Sequence, residues 1–255
     1  MICSCFSASA EERFALLIGN KEYGSQVGKL RNPHKDIALI EKALQQVGFS
    51  VVSKMDLGRV EMHKQINEFI KRLSKAGSGA VGFFYYTGHG VSNPDDHSNY
   101  LIPIDIQNME DPNVWINALP LDRILRDLER KTPNAFRIVV FDACRNELWL
   151  PNKTGVKGFE PVTAMRGTFI AFSTSPNAAA SDIGEDSGPY AQALASELIR
   201  PGQDHLTLFQ NVKERVISAT GNTQWPWESN GLLRFYFAGK SIPPPPSPNL
   251  EVTQQ

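Results

Sequence analysis

Two side chains in this sequence have the types and placement for nucleophilic catalysis. Cys144 stands alone in the body of the chain, far from the other two cysteines, Cys3 and Cys5. His89 lies between two glycines in Thr87-Gly88-His89-Gly90. A thiol becomes a useful nucleophile when an imidazole takes its proton and later returns it to the leaving group. Each residue follows an apolar run: Ala80 to Tyr86 (AVGFFYY) before the histidine, and Arg137 to Phe141 (RIVVF) before Asp142-Ala143-Cys144-Arg145-Asn146. If these runs are neighbouring parallel strands, His89 and Cys144 emerge at one sheet edge. The glycines around His89 suit a tight turn. The N–H groups of Gly90 and Cys144 could then donate to the oxyanion of a tetrahedral intermediate, where losing one donor costs on the order of 100- to 1000-fold. A lone cysteine is more often a small core hydrophobe, and a lone histidine a loop residue; their placement at two such strand ends favours the chemical reading.

The elements needed to position this pair are legible as alternating strands and helices. Apolar runs at Phe14 to Ile18, Phe49 to Ser53, Ala80 to Tyr86, Arg137 to Phe141, Thr168 to Phe172 and Leu232 to Phe237 read as six strands. Between them, Ile37, Ile40, Leu44 and Val47, then Met62, Ile66, Phe69, Ile70 and Leu73, then Leu121, Ile124, Leu125 and Leu128, recur at helical spacing. Asn32-Pro33 reads as a helix start and Gly48 and Gly77 as stops. Tyr190 to Ile199 and Leu206 to Ser218 also read as helices. Such alternation implies right-handed crossovers and a mostly parallel sheet covered on both faces, with the active site beyond the C-terminal strand ends. Tyr85 and Tyr86 read as strand packing. Trp225-Pro226-Trp227 reads as cover for the core edge, with a substrate pocket as the other reading.

Composition narrows the function. The 26 basic and 27 acidic side chains among 255 residues leave no charge excess for a phosphate backbone, so a nucleic-acid partner is not expected. No apolar run approaches the roughly 18 residues of a membrane span. His34, His63, His97 and His205 are not at ligand spacing with cysteines, and Asn93-Pro94-Asp95-Asp96 lacks the alternation of a calcium loop, so no metal and no other cofactor is expected. Glycines after the first strand are too few for a nucleotide-binding turn. Residues 13–239 read as one domain, with no internal repeat. Residues 1–12 read as a disordered start or the remnant of an export signal ending at Ala8-Ser9-Ala10; export to the periplasm follows on the second reading, a cytoplasmic protein on the first. Residues 240–255 form a proline-rich tail that reads as a spacer.

The stretches Ala15 to Asn20 (ALLIGN), Leu30 to Asp36 (LRNPHKD), Tyr85 to Gly90 (YYTGHG), Asn99 to Asp105 (NYLIPID) and Asp142 to Asn146 (DACRN) resemble the caspase-like cysteine peptidases, bacterial homologues and paracaspases first, then metacaspases. The resemblance implies an α/β caspase–haemoglobinase fold, with a six-stranded, mostly parallel sheet and helices on both faces. It implies a Cys144–His89 dyad, an oxyanion hole of the Gly90 and Cys144 amides, and protein or peptide substrates. By match to the paracaspase pattern, Asp142, Asp36 and Asp182 would line a pocket for a basic residue before the cleaved bond. Buried carboxylates are favourable only with a cation present, and an arginine fork bridges several of them where lysine offers one point charge. Arg is therefore expected over Lys. Asp36 could instead complement a helix dipole. By analogy with caspase processing, self-cleavage is expected, if anywhere, at Lys153 or Lys157. A homodimer through the last strand is left open, and a catalytically silent interaction module is the competing reading.

Overall fold

The computed structural model describes residues 11–144, 159–175 and 186–239, with Cys144 described by its main chain. The elements are β1 (Arg13–Gly19), α1 (Pro33–Gln46), β2 (Ser50–Met55), α2 (Arg59–Ala76), β3 (Val81–Ser92), β4 (Asn99–Leu101), α3 (Val114–Asn117), β5 (Leu119–Pro120), α4 (Leu121–Lys131), β6 (Phe136–Cys144), β7 (Thr168–Phe172), α5 (Pro189–Leu198), α6 (His205–Ala219) and β8 (Trp227–Asn230). The sheet runs β2-β1-β3-β6-β7-β8. All neighbours are parallel except β7 and β8.

Helices cover both faces, so the central strands are mostly apolar up to Tyr86 in β3 and Phe141 in β6. On one face α1, α5 and α6 press Ile37, Ile40, Leu194 and Val212 against Phe83, Tyr85, Ile138 and Val140. On the other, α2 and α4 bring Ile66, Phe69, Ile124 and Leu128 onto Leu16, Phe84, Val139 and Phe141. Each such side chain contributes roughly 1.5–3 kcal/mol on burial. A smaller cluster of Tyr23, Leu30, Ile102 and Val114 packs beyond the C-terminal end of β1. The helix boundaries follow the expected signals: Pro33 opens α1 behind Asn32, whose carbonyl takes the amides of Lys35 and Asp36 although its side chain makes no cap. Gly48 and Gly77 carry the positive φ that ends α1 and α2.

Two expectations are corrected. The run Leu232 to Phe237 is not a strand. It is an irregular segment that buries Leu232, Phe235 and Phe237 and is held by side chains rather than by strand pairing: Arg13, at the start of β1, donates to the carbonyls of Phe237 (2.6 Å) and Tyr236 (3.2 Å), and the Phe235 amide donates to His205 Nδ1 (3.2 Å). The sixth strand is β8, antiparallel to β7. Among the described residues it pairs on one side alone, and it is short and largely polar, as an edge strand is. The second correction concerns the histidine. β3 does not stop at Tyr86 for a turn; it runs on through His89 to Ser92 and is buried throughout.

Candidate active site

β3 and β6 are adjacent and parallel, and their register sets Thr87 beside Asp142, Gly88 beside Ala143 and His89 beside Cys144. The two residues that could do chemistry are therefore neighbours at the C-terminal ends of the two central strands, where an open parallel sheet places its active site. The side chain of Cys144 lies outside the described residues, as do Asp182, Lys153 and Lys157.

His89 is fully buried. Its Nε2 lies 2.8 Å from the carbonyl of Gly28. A carbonyl only accepts, so Nε2 carries the proton and a neutral ring has its lone pair on Nδ1. Gly28 can aim that carbonyl because its φ is +90°, a conformation that favours glycine. The ring also lies against Tyr23, with centroids 4.5 Å apart.

The glycines flanking His89 leave room rather than make a turn. A Cβ on Gly88 would meet the hydroxyls of Tyr86 at 2.6 Å and Tyr23 at 2.8 Å. A Cβ on Gly90 would run into the ring of Phe159. Asn20 N–H donates to the Thr87 carbonyl (2.9 Å), and Ile102 N–H donates to the His89 carbonyl (3.0 Å). Residues 87 and 89 thus turn their peptide groups toward the β1 and β4 side. Alternation along the strand turns the Gly90 amide the other way, toward the edge where β6 ends at Cys144.

The acids gather on the α1 and α5 face. Asp142 and Asp36 are both buried. Tyr85 Oη donates to Asp142 Oδ2 (2.8 Å). Asp36, in the first turn of α1, takes the Gly188 amide (2.7 Å) at the start of α5 and lies 3.5 Å from Thr87 Oγ1. Thr87 is the register partner of Asp142, so one threonine stands between the two carboxylates. The Tyr85 hydroxyl senses both: burial, then the charges of Asp142 and Asp36, hold its pKa well above the usual phenol value, so it stays a neutral donor. Tyr190 on α5 is raised in the same way, by burial and then by Asp142. Asp36 is thus more than a helix-dipole acid, since its carboxylate reaches across to α5.

Of the candidates named from the sequence, His89, Gly90, Asp36 and Asp142 are brought to this end of the sheet, whereas Gly28, Tyr23, Tyr85 and Tyr86, which contact them, were not named as site candidates. Tyr85 and Tyr86 do pack in the core, but each also points a hydroxyl at the site. Trp227 covers the core edge against Phe172 (5.7 Å), while Trp225 is half exposed with its indole N–H on the Asn222 carbonyl. Among the described residues no group of three or more His, Cys, Asp or Glu is arranged to hold a metal ion.

Comparison with known proteins shows the family and the fold. The chain is 34% identical over 136 residues to human mucosa-associated lymphoid tissue lymphoma translocation protein 1, covering 53% of this chain and 15% of that protein. It is 29% identical over 177 residues to metacaspase-1 of Lodderomyces elongisporus, covering 60% of this chain and 37% of that protein. The chain therefore spans well under two thirds of the length of these relatives. A solved structure of pro-sf-caspase-1 superposes with a TM-score of 0.65 at 19% identity, covering 91% of this chain and 92% of that one, which shows a shared fold. The caspase domain model matches residues 12–237. With that match spanning nearly the whole chain, the protein belongs to the caspase domain family of cysteine peptidases.

Proposed function

We propose that this chain is an endopeptidase that cleaves after arginine, and less well after lysine, with Cys144 as nucleophile and His89 as acid and base. The observation that carries the reading is the β3–β6 register, which sets His89 beside Cys144 and Thr87 beside Asp142. In this scheme Nδ1 of His89 takes the thiol proton and the Cys144 sulfur attacks the scissile carbonyl. The oxyanion is held by the Gly90 and Cys144 amides. As the intermediate collapses, the same proton passes to the leaving amine, and the substrate's acyl half stays on the sulfur. Water, deprotonated by His89, then hydrolyses the thioester and regenerates the thiol. The Gly28 carbonyl orients the ring and stabilises it when it is charged.

The pocket assignment rests on chemistry. Two buried carboxylates, Asp142 and Asp36, with a tyrosine donor on the first, make a negatively charged lining that suits a cationic side chain. A guanidinium offers five donors in a plane and can engage both acids, whereas an ammonium engages them as a point charge. Asp182, placed in this pocket by family resemblance, would add a third acid.

The test is a peptide library varied at the residue before the cleaved bond, run with wild type, Cys144→Ala and Asp142→Asn. Arg is expected to lead, Cys144→Ala to be inactive, and Asp142→Asn to lose at least about 30-fold on Arg peptides, the scale of removing one partner from a buried charge pair. Efficient cleavage after Asp, or an unaltered Arg preference in Asp142→Asn, would overturn the pocket. Activity in Cys144→Ala would overturn the nucleophile.

A further inference from the structure

The main chain of His89 is gripped at both ends by phenol hydroxyls that the scheme above leaves unused. Its N–H donates to Tyr23 Oη (3.0 Å), and its carbonyl takes the proton of Tyr86 Oη (2.8 Å). The two hydroxyls are 3.2 Å apart, and each is within hydrogen-bond reach of the Ile102 carbonyl, at 2.9 Å from Tyr23 and 3.0 Å from Tyr86. In an ordinary antiparallel pair the Ile102 N–H to His89 carbonyl bond would be answered by a return bond from the His89 N–H to the Ile102 carbonyl. Here the return bond is replaced by a tyrosine hydroxyl, with a second beside it.

Three further observations tie these phenols to the histidine. Both tyrosines are fully buried, and a phenylalanine would fill either place without a hydroxyl to satisfy. Gly88 supplies the space for both oxygens, since any Cβ there would meet them at 2.6 and 2.8 Å. The ring of Tyr23 also lies on the imidazole itself. Tyr23 and Gly28 belong to one segment, so the same stretch of chain holds the backbone of His89 through Tyr23 and its ring through Gly28. That segment is anchored at its start, where Asp56 Oδ1 takes the amides of Lys21 (2.8 Å) and Glu22 (2.9 Å).

We propose that Tyr23 and Tyr86 are positioning residues for the cleavage reaction: their hydroxyls fix the peptide groups of His89 and thereby hold the imidazole at the place where it meets the nucleophile. The inference rests on the His89–Cys144 dyad. The two protons of the phenols close a circuit from the His89 N–H through Tyr23 and Tyr86 to the His89 carbonyl. A residue so held cannot rotate its peptide planes without breaking two bonds at once.

The test uses Tyr23→Phe and Tyr86→Phe, which keep the rings and remove the oxygens, beside His89→Ala and Cys144→Ala. With an Arg-ending fluorogenic peptide, each phenylalanine variant is expected to lose roughly ten- to hundredfold in kcat with KM near wild type, since displacement of a catalytic group by about 1 Å costs on that order. The second readout is the pH dependence of Cys144 alkylation by iodoacetamide, followed by mass at that residue. A loosened imidazole pairs less well with the thiolate, so the midpoint should rise toward the ordinary thiol value of about 8.5. A merely structural tyrosine would lower the melting temperature and leave that midpoint alone. Wild-type kcat and midpoint in both phenylalanine variants, with His89→Ala and Cys144→Ala inactive, would refute the positioning role while leaving the dyad intact. Activity in His89→Ala would refute the dyad, and the positioning role with it.

Discussion

Substituting Gly28 separates the aim of one carbonyl from every other contact of the histidine. Gly28 has φ +90°, and a Cβ built there would meet nothing within 4 Å. Alanine therefore brings no clash, and its cost is conformational: about 1–2 kcal/mol for an L residue held in the left-handed region. The stiffer unfolded chain returns about 0.4–1 kcal/mol of this. The net, about 1 kcal/mol, corresponds to a melting temperature lower by roughly 2–4 °C in a domain of this size. Activity should suffer more. The loop can relieve its strain by rotating the peptide that carries the Gly28 carbonyl, which now accepts from His89 Nε2 at 2.8 Å. A hydrogen bond to a group that becomes charged is worth about 1.5–3 kcal/mol, so kcat/KM should fall by roughly 10- to 150-fold. Asparagine tolerates positive φ better than alanine, and a β-branched residue tolerates it worst. The order Gly, Asn, Ala, Val in kcat/KM on an Arg-ending peptide is the signature, with melting followed in parallel by circular dichroism. A Gly28→Val protein with wild-type kcat/KM would refute the reasoning, as would an activity loss no larger than the fraction unfolded explains.

Two further outcomes are expected. Gly90→Ala should cost on the order of 100-fold or more in kcat with the fold retained, because the new methyl displaces either Phe159 or the amide aimed at the β6 edge; wild-type turnover would remove that amide from the oxyanion hole. His205 is fully buried, accepts from the Phe235 amide at Nδ1 and lies 3.2 Å from Asn230 Oδ1 through Nε2, and burial holds its pKa below the ordinary value. The unfolded chain therefore takes up this proton first, so the stabilisation is complete above the unfolded pKa of about 6.5 and is lost as pH falls through the lower folded value, by at most about 1.4 kcal/mol per pH unit. Urea unfolding at pH 7.5 and 5.5 should show this loss in wild type and less of it in His205→Gln; equal pH dependence in the two would rule the contribution out.

The centre of the sheet was readable because burial on both faces writes long apolar runs, and because the polar residues after those runs stand out. That is how His89 and Cys144 could be set side by side before any coordinates. What escaped was of three kinds. Gly28 acts through a main-chain carbonyl and a φ angle, and neither is a property of residue type. Tyr23 reaches His89 across 66 positions through a loop, a contact with no periodic signature. The last strand was misplaced because hydrophobicity marks burial rather than pairing. The residues of β8 are half-buried or exposed, whereas Leu232, Phe235 and Phe237 are buried without joining the ladder. The glycines beside His89 were recognised as meaningful for the wrong cause, since a glycine that makes room looks the same as a glycine that turns.

The Arg13 guanidinium joins the start of the domain to its far end. It bonds the Val47 carbonyl at 3.0 Å and the Phe237 carbonyl at 2.6 Å, the latter across 224 positions, and stacks on the rings of Phe49 and Phe235. During synthesis β1 leaves the ribosome early, while its partner in this contact is among the last described residues to emerge. At about 5–20 residues per second, Arg13 waits roughly ten seconds or more for Phe237. From β1 the sheet also extends in chain order through β3, β6, β7 and β8, so its far edge is made last. Such long-range closure is slow. A chain of this design completes the frame around β3 and β6 only when nearly all of the described domain has been made.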